Sequence, residues 1–516
     1  MHRREATGKV FLIGAGPGDP GLLTLKGRSI LERAEVVVYD YLADEGLLAF
    51  CRPEAERVYV GKQSGHHTLS QGEINDLLVR KAKAGALVAR LKGGDPYIFG
   101  RGSEEAEALE REGIPFEVIP GVSSAIAAPA YAGIPLTDRR HASSVTIVTG
   151  HEDATRQKTK IPWEHLAHGA QTLVFLMGVK NLDHIVRQLL HHGRDAQSPA
   201  ALIRWGTTSR QCTVTAPLGG IVQEARRVGM APPAVLVVGE VVTLRDRLAW
   251  FETAPLFGRR ILVTRAREQA SELAEQLRAL GADPVEFPTI QIGEPADWVA
   301  LDKALGQLGT YHWILFTSPN GVRFFLRRLM ERGGDIRDLK GASIGAIGPG
   351  TAGAIEALGV RVDVVPRDEY RAEALADSFS AEQARGKRFL LPRAEEARDV
   401  LPRRLEEMGG RVDVVTAYRT QIPKEGPPLL RRLFLEKRMD AVTFTSSSTV
   451  KNFVEMAGRE ALTALLEGVA VACIGPVTMR TAETEGIPVH IMPEAYTIPG
   501  LVRALVAHFE GERATS

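Results

Sequence analysis

The chain has 516 residues, of which 44% are hydrophobic and 25% charged, with a formal net charge of +1. At about 100–200 residues per domain this is too long for one core and predicts three or four. The near-neutral balance gives no global field that would favour nucleic acid or a membrane surface, so an anionic ligand must be held by local Arg and Lys.

The N-terminal stretch MHRREATGKVFLIG is basic but has no apolar signal core, and no apolar run reaches the roughly 18 residues of a membrane span. Cys51, Cys212 and Cys473 are far apart and form no CxxC pair. That argues against a disulfide framework or thiolate metal site and points to a reducing cytoplasm. Val10-Phe11-Leu12-Ile13 reads as a short strand, followed by GAGPGDPG and an amphipathic helix near 23–33. The glycines have nearly the spacing of a dinucleotide fingerprint, but Pro17 and Pro20 interrupt a turn that must feed N–H groups into a helix start, so a nicotinamide site is disfavoured.

Residues 35–40 (EVVVYD) form a strand that ends on Asp40, and 57–60 a strand that ends on Gly61-Lys62. An acid and a base are thus expected at one edge of a sheet, although solvated strand-end residues give the same pattern. Residues 71–84 are helical through Ile74, Leu77, Leu78 and Ala82, with Gly85 as the stop. In residues 87–102 (LVARLKGGDPYIFGRG) a buried strand, carried by Leu87, Val88, Ala89 and Leu91, runs into Gly93-Gly94-Asp95-Pro96. The glycines clear Cβ atoms where a ligand could lie against backbone, Asp95 offers an acceptor and Pro96 stiffens the exit. A cofactor loop at a strand's carboxyl end and an ordinary strand-to-helix turn both satisfy this pattern. A helix over 104–112, a strand over 116–119 and the turn PGVSS before an alanine-rich helix complete a βαβα alternation, which predicts a mostly parallel sheet. A hinge at 135–141 leads to further strands near 145–148, 173–177, 201–203 and 235–238. The histidines, among them His66, His67, His165, His168, His184, His191 and His192, lack metal-ligand spacing, so no metal is expected.

In this order, GAGPGDPGLLTLKG, VVVYD, VGK, QGEIN, LKGGDPYIFGRG, PGVSSA, AYAGIPLT and VTGH resemble uroporphyrinogen-III C-methyltransferase, a member of the tetrapyrrole methylase family. The resemblance covers about the first 250 positions. It implies two α/β subdomains, about 1–135 and 136–251, with S-adenosylmethionine in the cleft between them, and a homodimer. It puts the cofactor against Pro17, Gly93, Gly94, Asp95, Ile98, Ser123, Ser124, Met177, Gly206 and Ala234, and makes Asp40 the proton acceptor and Lys62 the proton donor. The chain departs from the family at Asp138, where His commonly follows LT, and at Ser123-Ser124, where Thr-Ser or Thr-Ala is usual. In the implied reaction a pyrrole carbon attacks the sulfonium methyl, which requires alignment and a proton route but no side-chain nucleophile. Candidate donors to the eight substrate carboxylates are Lys62, Arg101, Arg139, Arg140 and Arg204, each also explicable as solvated surface.

After a linker at 252–258 (ETAPLFG) a new strand begins at Arg260, and the chain then repeats itself. Arg265 matches Arg393 and Phe316 matches Phe444, both at an offset of 128 residues, and SIGAIGPGT matches VACIGPVT at nearly that offset. The order A-B-A′-B′ implies two similar α/β lobes. The loops between strand and helix carry Thr317, Ser318, Thr351, Thr445, Ser446 and Thr478 as candidate carboxylate ligands; plain N-capping would use the same residue types.

FTSPNGV, IGPGT, FTSSSTV, IGPVT and AYRT resemble uroporphyrinogen-III synthase along nearly all of 259–516. The resemblance implies hydroxymethylbilane folded in a cleft, loss of its hydroxyl, and closure with the last ring inverted. Tyr418 matches the acid assisting hydroxyl loss, with a packed aromatic beside the interlobe connection as the alternative. Lobe one is expected from 259–291 plus 424–516, and lobe two from 292–423. The fold class is therefore α/β throughout, a two-subdomain tetrapyrrole-methylase fold followed by a duplicated two-lobe synthase fold. The expected function is cyclisation of hydroxymethylbilane to uroporphyrinogen III and its methylation at C2 and C7 to precorrin-2, for siroheme or cobalamin synthesis. The rivals are a C-terminal half that senses tetrapyrrole without turnover and a methylase of a later corrinoid. No nucleic acid or membrane partner is expected.

Overall fold

The computed structural model describes residues 8–61, 69–150, 161–264, 267–366, 371–397, 399–423, 426–436 and 439–515. Strands β1 (Lys9–Gly14), β2 (Val36–Tyr39), β3 (Glu56–Tyr59), β4 (Leu87–Lys92) and β5 (Phe116–Ile119) form one sheet in the order β3-β2-β4-β1-β5, every neighbour parallel. Side-chain alternation explains this arrangement. Val10 and Leu12 of β1 pack with Val88 under the helices Gln71–Lys83 and Gly102–Arg111, whereas Phe11 and Ile13 pack with Ala89 and Leu91 under the helix Leu25–Leu31. A strand apolar on both faces needs helices on both sides. The chain leaves β1 for β2 in one direction and β4 for β5 in the other, so a topological switch point falls between β1 and β4.

A second sheet holds β6 (Val145–Thr149), β7 (Thr172–Leu176), β8 (Pro199–Arg204), β9 (Cys212–Pro217) and β10 (Ala234–Val238) in the order β6-β7-β10-β8-β9. Here only β6 and β7 run parallel; β10 is antiparallel to β7 and β8, and β8 to β9. The edge strand β9 is largely open to solvent, with only Val214 buried, and so lacks the apolar run by which its neighbours are recognised.

The C-terminal half holds β11 (Arg260–Val263), β12 (Asp283–Glu286), β13 (Gln291–Gly293), β14 (Trp313–Phe316), β15 (Ser343–Ala346), β16 (Arg388–Ala394), β17 (Arg411–Gln421), β18 (Ala441–Phe444) and β19 (Ala470–Cys473). They form two sheets, β12-β11-β18-β19 and β13-β17-β16-β14-β15. Because β16 is the repeat of β11 and β18 the repeat of β14, each sheet joins the first part of one repeat to the second part of the other. The two strand orders then agree member for member, with β13 added as an antiparallel edge. By internal contacts the chain divides into a unit of Met1–Arg260, Gln276–Pro284 and Val506–Ser516 and a unit of Ile261–Glu275 and Val285–Leu505. Among the described residues no helix is long and apolar enough to cross a membrane, and no group of three or more His, Cys, Asp or Glu is placed to hold a metal ion.

At the carboxyl ends of β1, β4 and β5 backbone packs directly against backbone. A Cβ on Gly121 would overlap the Gly94 carbonyl oxygen and lie 2.6 Å from Gly14 Cα, and neither atom belongs to a side chain that could turn away. Gly121→Ala is therefore expected to destabilise the first unit by about 1–3 kcal/mol, the usual penalty of overpacking. Calorimetry should show its thermal transition lowered; an unchanged transition would mean that the three strand ends are not packed this closely.

Candidate functional site

The loops that follow β1 and β4 are bonded to each other. Gly94 N donates to Gly16 O at 2.7 Å and Gly16 N to Gly94 O at 3.2 Å, with Pro17 next in line and half-buried. Asp95 orders the remainder: its Oδ1 accepts from Tyr97 N (2.8 Å) and Ile98 N (3.1 Å), and its Oδ2 from Gly121 N (2.9 Å). A short carboxylate readily captures the N–H groups just ahead of it. The expected free acceptor is thus engaged in tying its own loop to the end of β5.

Gly94 in turn lies against Ser123 and Ser124, whose backbone atoms come within 3.8 Å of where its Cβ would stand. Ser123 is buried and caps the helix Ser124–Tyr131, its Oγ accepting from Ala125 N at 3.3 Å. On that helix Ala128 meets Gly206, where a Cβ would overlap the alanine's own. Gly206 follows β8, β8 pairs Arg204 with Ala234 of β10, and β10 pairs Val235 with Leu176, the residue before Met177. The ten residues that the resemblance assigns to the cofactor therefore lie along one run of contacts crossing both subdomains. Asp19 adds a second crossing, its N–H donating to Thr207 Oγ1 (3.1 Å) and its Oδ2 accepting from Tyr131 Oη (2.6 Å). Burial, and then the Asp19 carboxylate, push the Tyr131 phenol up.

Among the described residues the non-glycine positions with left-handed backbone are Phe99, Arg101, Met177, Trp205 and Thr207, all in loops after β4, β7 and β8. Such conformations cost of order 1–3 kcal/mol each and concentrate at ligand sites. Ile98 and Met177 remain 43% and 50% exposed, large apolar surfaces left open beside the same loops.

Asp40, just after β2, reaches this rim through Leu42. The Leu42 N–H donates to Asp40 Oδ1 at 3.2 Å, and a Cβ on Gly93 would overlap Leu42 Cβ. Asp40 Oδ2 accepts from Arg90 Nη2 at 3.0 Å. Arg90 and Lys92 share the face of β4 that carries Val88 and are buried there among apolar side chains, so their charges need a partner. Glu105, fully buried on the helix Gly102–Arg111, supplies it: Oε1 accepts from Lys92 Nζ at 2.7 Å, and from Arg90 Nε and Gln71 Nε2 at 3.2 Å each. Burial pulls the Lys92 ammonium below its ordinary range and Arg90 adds to the effect, while Glu105 opposes it. Lys62, His66, His67 and Arg265 lie outside the described residues.

The expected carboxylate donors differ in what they already hold. Arg101 forms a two-point pair with Glu104 (2.8 and 2.7 Å), and Arg140 another with Asp138 (3.1 and 3.2 Å). The Arg140 contact draws the Asp138 carboxyl down to about 2. Asp138 also closes the turn at 138–142, its N–H and C=O both bonded to Ala142, which gives this departure from the family pattern a local structural role. Arg139 is exposed, and Arg204 has its Nε buried without a hydrogen-bond partner.

In the second unit the four loops follow β14, β15, β18 and β19, at the carboxyl ends of parallel strands. Ser318 caps the helix Pro319–Glu331, its Oγ accepting from Gly321 N at 3.0 Å; Ser446 caps Ser447–Ala457 through Thr449 N at 3.3 Å. Thr317 and Thr445 are half-buried. Thr351 and Thr478 are only 3% and 5% exposed, packed inward in the first turns of their helices. This corrects the expectation that their hydroxyls are presented to a substrate; these two loops offer backbone. Tyr418 sits at a bulge: Arg393 pairs with Thr416 but Ala394 with Tyr418, leaving Ala417 as the extra residue. Bulges re-aim side chains, and here the ring packs 5.9 Å from Phe324 while Oη lies 2.9 Å from Ser318 Oγ. The ring of Tyr418 is thus packed and its hydroxyl lies at the loop after β14.

A family model for tetrapyrrole (corrin/porphyrin) methylases matches residues 9–222, and one for uroporphyrinogen-III synthase HemD matches 271–503. A porphyrin biosynthesis protein HemD from Ruminiclostridium josui is 37% identical over 97% of this chain and 98% of its own length. The chain belongs to this family of fused tetrapyrrole methylases and uroporphyrinogen-III synthases. A uroporphyrinogen-III C-methyltransferase from Bacillus subtilis (strain 168) is 42% identical over 70% of this chain and 74% of its own. An S-adenosyl-L-methionine-dependent uroporphyrinogen III methyltransferase from Methanosarcina barkeri is 51% identical over 47% of this chain and 94% of its own.

In the methylase half the buried group of Arg90, Lys92 and Glu105 escaped the reading of the sequence. Its signal was present: two cations at alternate positions of a strand otherwise apolar. In the synthase half the bulge before Tyr418 has no such signal, because nothing in Thr416-Ala417-Tyr418 marks one residue as extra to the pairing. The methylase half yields one direct test. Hydrogen bonds to a charged acceptor contribute about 1.5–3 kcal/mol each, so Asp95→Ala is expected to speed amide exchange at Tyr97, Ile98 and Gly121 by about tenfold or more, measured by hydrogen exchange. Unchanged exchange at Gly121 would show that β5 and the loop are held together without the carboxylate.

Proposed function

We propose that the C-terminal half converts hydroxymethylbilane to uroporphyrinogen III and the N-terminal half methylates that product at C2 and C7 with S-adenosylmethionine, giving precorrin-2 for siroheme or cobalamin synthesis. The observation that carries this reading is the placement of Asp40 beside the Gly93-Gly94 loop, with Leu42 in contact with both. The two family matches and the names of the relatives support substrate and cofactor.

The rim suits that cofactor. Open Ile98 and Met177, and an Arg101 already paired with Glu104, favour a nucleoside sulfonium without phosphates over a dinucleotide. Pro17, Gly93, Gly94, Asp95, Ile98, Ser123, Ser124, Met177, Gly206 and Ala234 would hold it, Asp95 through its main chain. When bound it supplies a methyl group on a sulfonium. Asp40, fixed by Arg90 and the Leu42 amide, takes the proton that the methylated ring system must lose, and Lys62 is the donor. Arg101, Arg139, Arg140 and Arg204 are the donors to substrate carboxylates, the paired ones by exchanging an exposed carboxylate for the substrate's.

In the synthase half Tyr418, held by Ser318, assists hydroxyl loss, and the loops at Thr317-Ser318 and Thr445-Ser446 bind carboxylates. Closure without inversion is chemically accessible, so the main task of this half is to hold one substrate shape. The same reading takes 1–251 as methylase, 252–258 as linker and 259–516 as synthase, with lobes of 259–291 plus 424–516 and of 292–423. It includes a homodimer through the methylase half, supported by the family resemblance, and a cytoplasmic location, supported by free Cys51, Cys212 and Cys473.

The test gives full-length protein hydroxymethylbilane with and without S-adenosylmethionine and identifies the products by oxidation, chromatography and mass. Type III isomer without cofactor and a dimethylated product with it are expected. Type I isomer alone would sink the synthase assignment and bring forward a non-catalytic tetrapyrrole sensor. Loss of a positioned proton acceptor or acid removes about 10²-fold or more in rate; Asp40→Asn should show this in methylation and Tyr418→Phe in cyclisation.

A further inference from the structure

Glu105 is a buried charge that the chemistry above leaves unused. It is 0% exposed, on a packing face otherwise made by Val88, Ile74, Ala106 and Leu109. Its Oε1 takes Lys92 Nζ and Arg90 Nε, while Oε2 is buried with no hydrogen-bond partner. Such a cluster is weak evidence of stability, because desolvation offsets the attraction and apolar residues of similar volume often pack as well. What the cluster fixes is direction. Lys92 is the last residue before Gly93, and Glu105 stands in the first turn of the helix beyond the loop, so their bond closes segment 93–104 at its base. Arg90 lies between Glu105 and Asp40, with Nε on one and Nη2 on the other. A guanidinium is planar and rigid, so the partner on Nε, together with the Leu91 carbonyl that accepts from Nη1 at 2.9 Å, sets where Nη2 points.

We propose that Glu105 is a positioning residue for methyl transfer: by holding Lys92 and Arg90 at once it locks the cofactor loop and the Asp40 carboxylate into one frame. This rests on the reading of Asp40 as proton acceptor and of 93–104 as a cofactor loop. Glu105 acts through its two cations and also accepts from Gln71 Nε2 at 3.2 Å. Without it, Arg90 would keep its bonds to Asp40 and to the Leu91 carbonyl but lose the one at Nε, and the loop would lose the bond across its base.

Two variants of the full-length protein separate this role from packing. Glu105→Gln leaves two buried cations facing a neutral amide. Glu105→Gln combined with Lys92→Met removes the surplus charge while Arg90 still faces Asp40. In a double variant with the wild-type circular-dichroism spectrum, kcat for methylation of uroporphyrinogen III is expected to fall about tenfold or more with KM within about twofold, as for a misplaced catalytic group. Calorimetric affinity for S-adenosylhomocysteine should fall at least about threefold, since a looser loop must be ordered on binding. Glu105→Asp should recover part of kcat. A double variant with wild-type kcat and affinity would overturn the proposal. If that variant does not fold, Arg90→Lys, which keeps a cation but lacks the fork, decides: lowered kcat supports the proposal and unchanged kcat overturns it. Wild-type protein that binds S-adenosylhomocysteine yet methylates no uroporphyrinogen III would refute the functional reading instead, and the calorimetric arm would still decide whether Glu105 orders the loop.

Discussion

Two parallel strands, β1 and β4, lie side by side and send their helices to opposite faces of the sheet, and the methylase half depends on that divergence. It leaves the carboxyl ends of both strands uncovered by their own helices, so the loops that follow can bond to each other. Gly16 and Gly94 do so directly, and Gly14, Gly94 and Gly121 let the backbones approach where side chains would intervene. Strain accumulates nearby, at Phe99 and Arg101 in the same loop and at Met177, Trp205 and Thr207 on the second sheet. The surrounding bonds over-determine these conformations. Asp95, with three backbone N–H groups on its carboxylate, is the clearest of those restraints.

The apolar strands of both halves were legible because burial on two faces writes an unbroken hydrophobic run, as in VFLI, VVV and the LVA of β4. Strands with one solvated face were harder. Cys212–Pro217 hides behind two threonines and a cysteine open to water, and Gln291–Gly293 is too short to show any period. The antiparallel character of the second sheet was not legible either, since strand direction is decided by connections and not by composition.

At the site, residue identity carried further than orientation. The glycines, Asp40 and the two serines of PGVSS were singled out by their spacing and their family pattern, and the structure brings them close together through Gly94 and Leu42. What the chain alone could not show was which polar groups are already engaged. Asp95 binds backbone, Arg101 and Arg140 each hold a neighbouring carboxylate, and Thr351 and Thr478 turn inward, although all five read as available. The reason is local: an acid two or three positions away captures an arginine before any distant ligand does, and Thr351 and Thr478, each third in its helix, fall on the face that packs with Ala352 and Ile355 in one helix and Ala482 in the other.

The exchange of repeat parts between the two synthase sheets sets an order of assembly. The sheet built from β13 to β17 draws every strand from one continuous stretch of chain, residues 291–421, and can close as soon as that stretch has been made. The other sheet cannot. Its strands β11 and β12 leave the ribosome first, yet β18, which pairs with β11, and β19, which pairs with β18, are encoded beyond residue 440, so for the whole time in which the inserted lobe is synthesised β11 presents an unpaired edge. The lobe that begins the domain is thus the last to be completed, and during translation its protection from wrong partners must come from outside its own sheet.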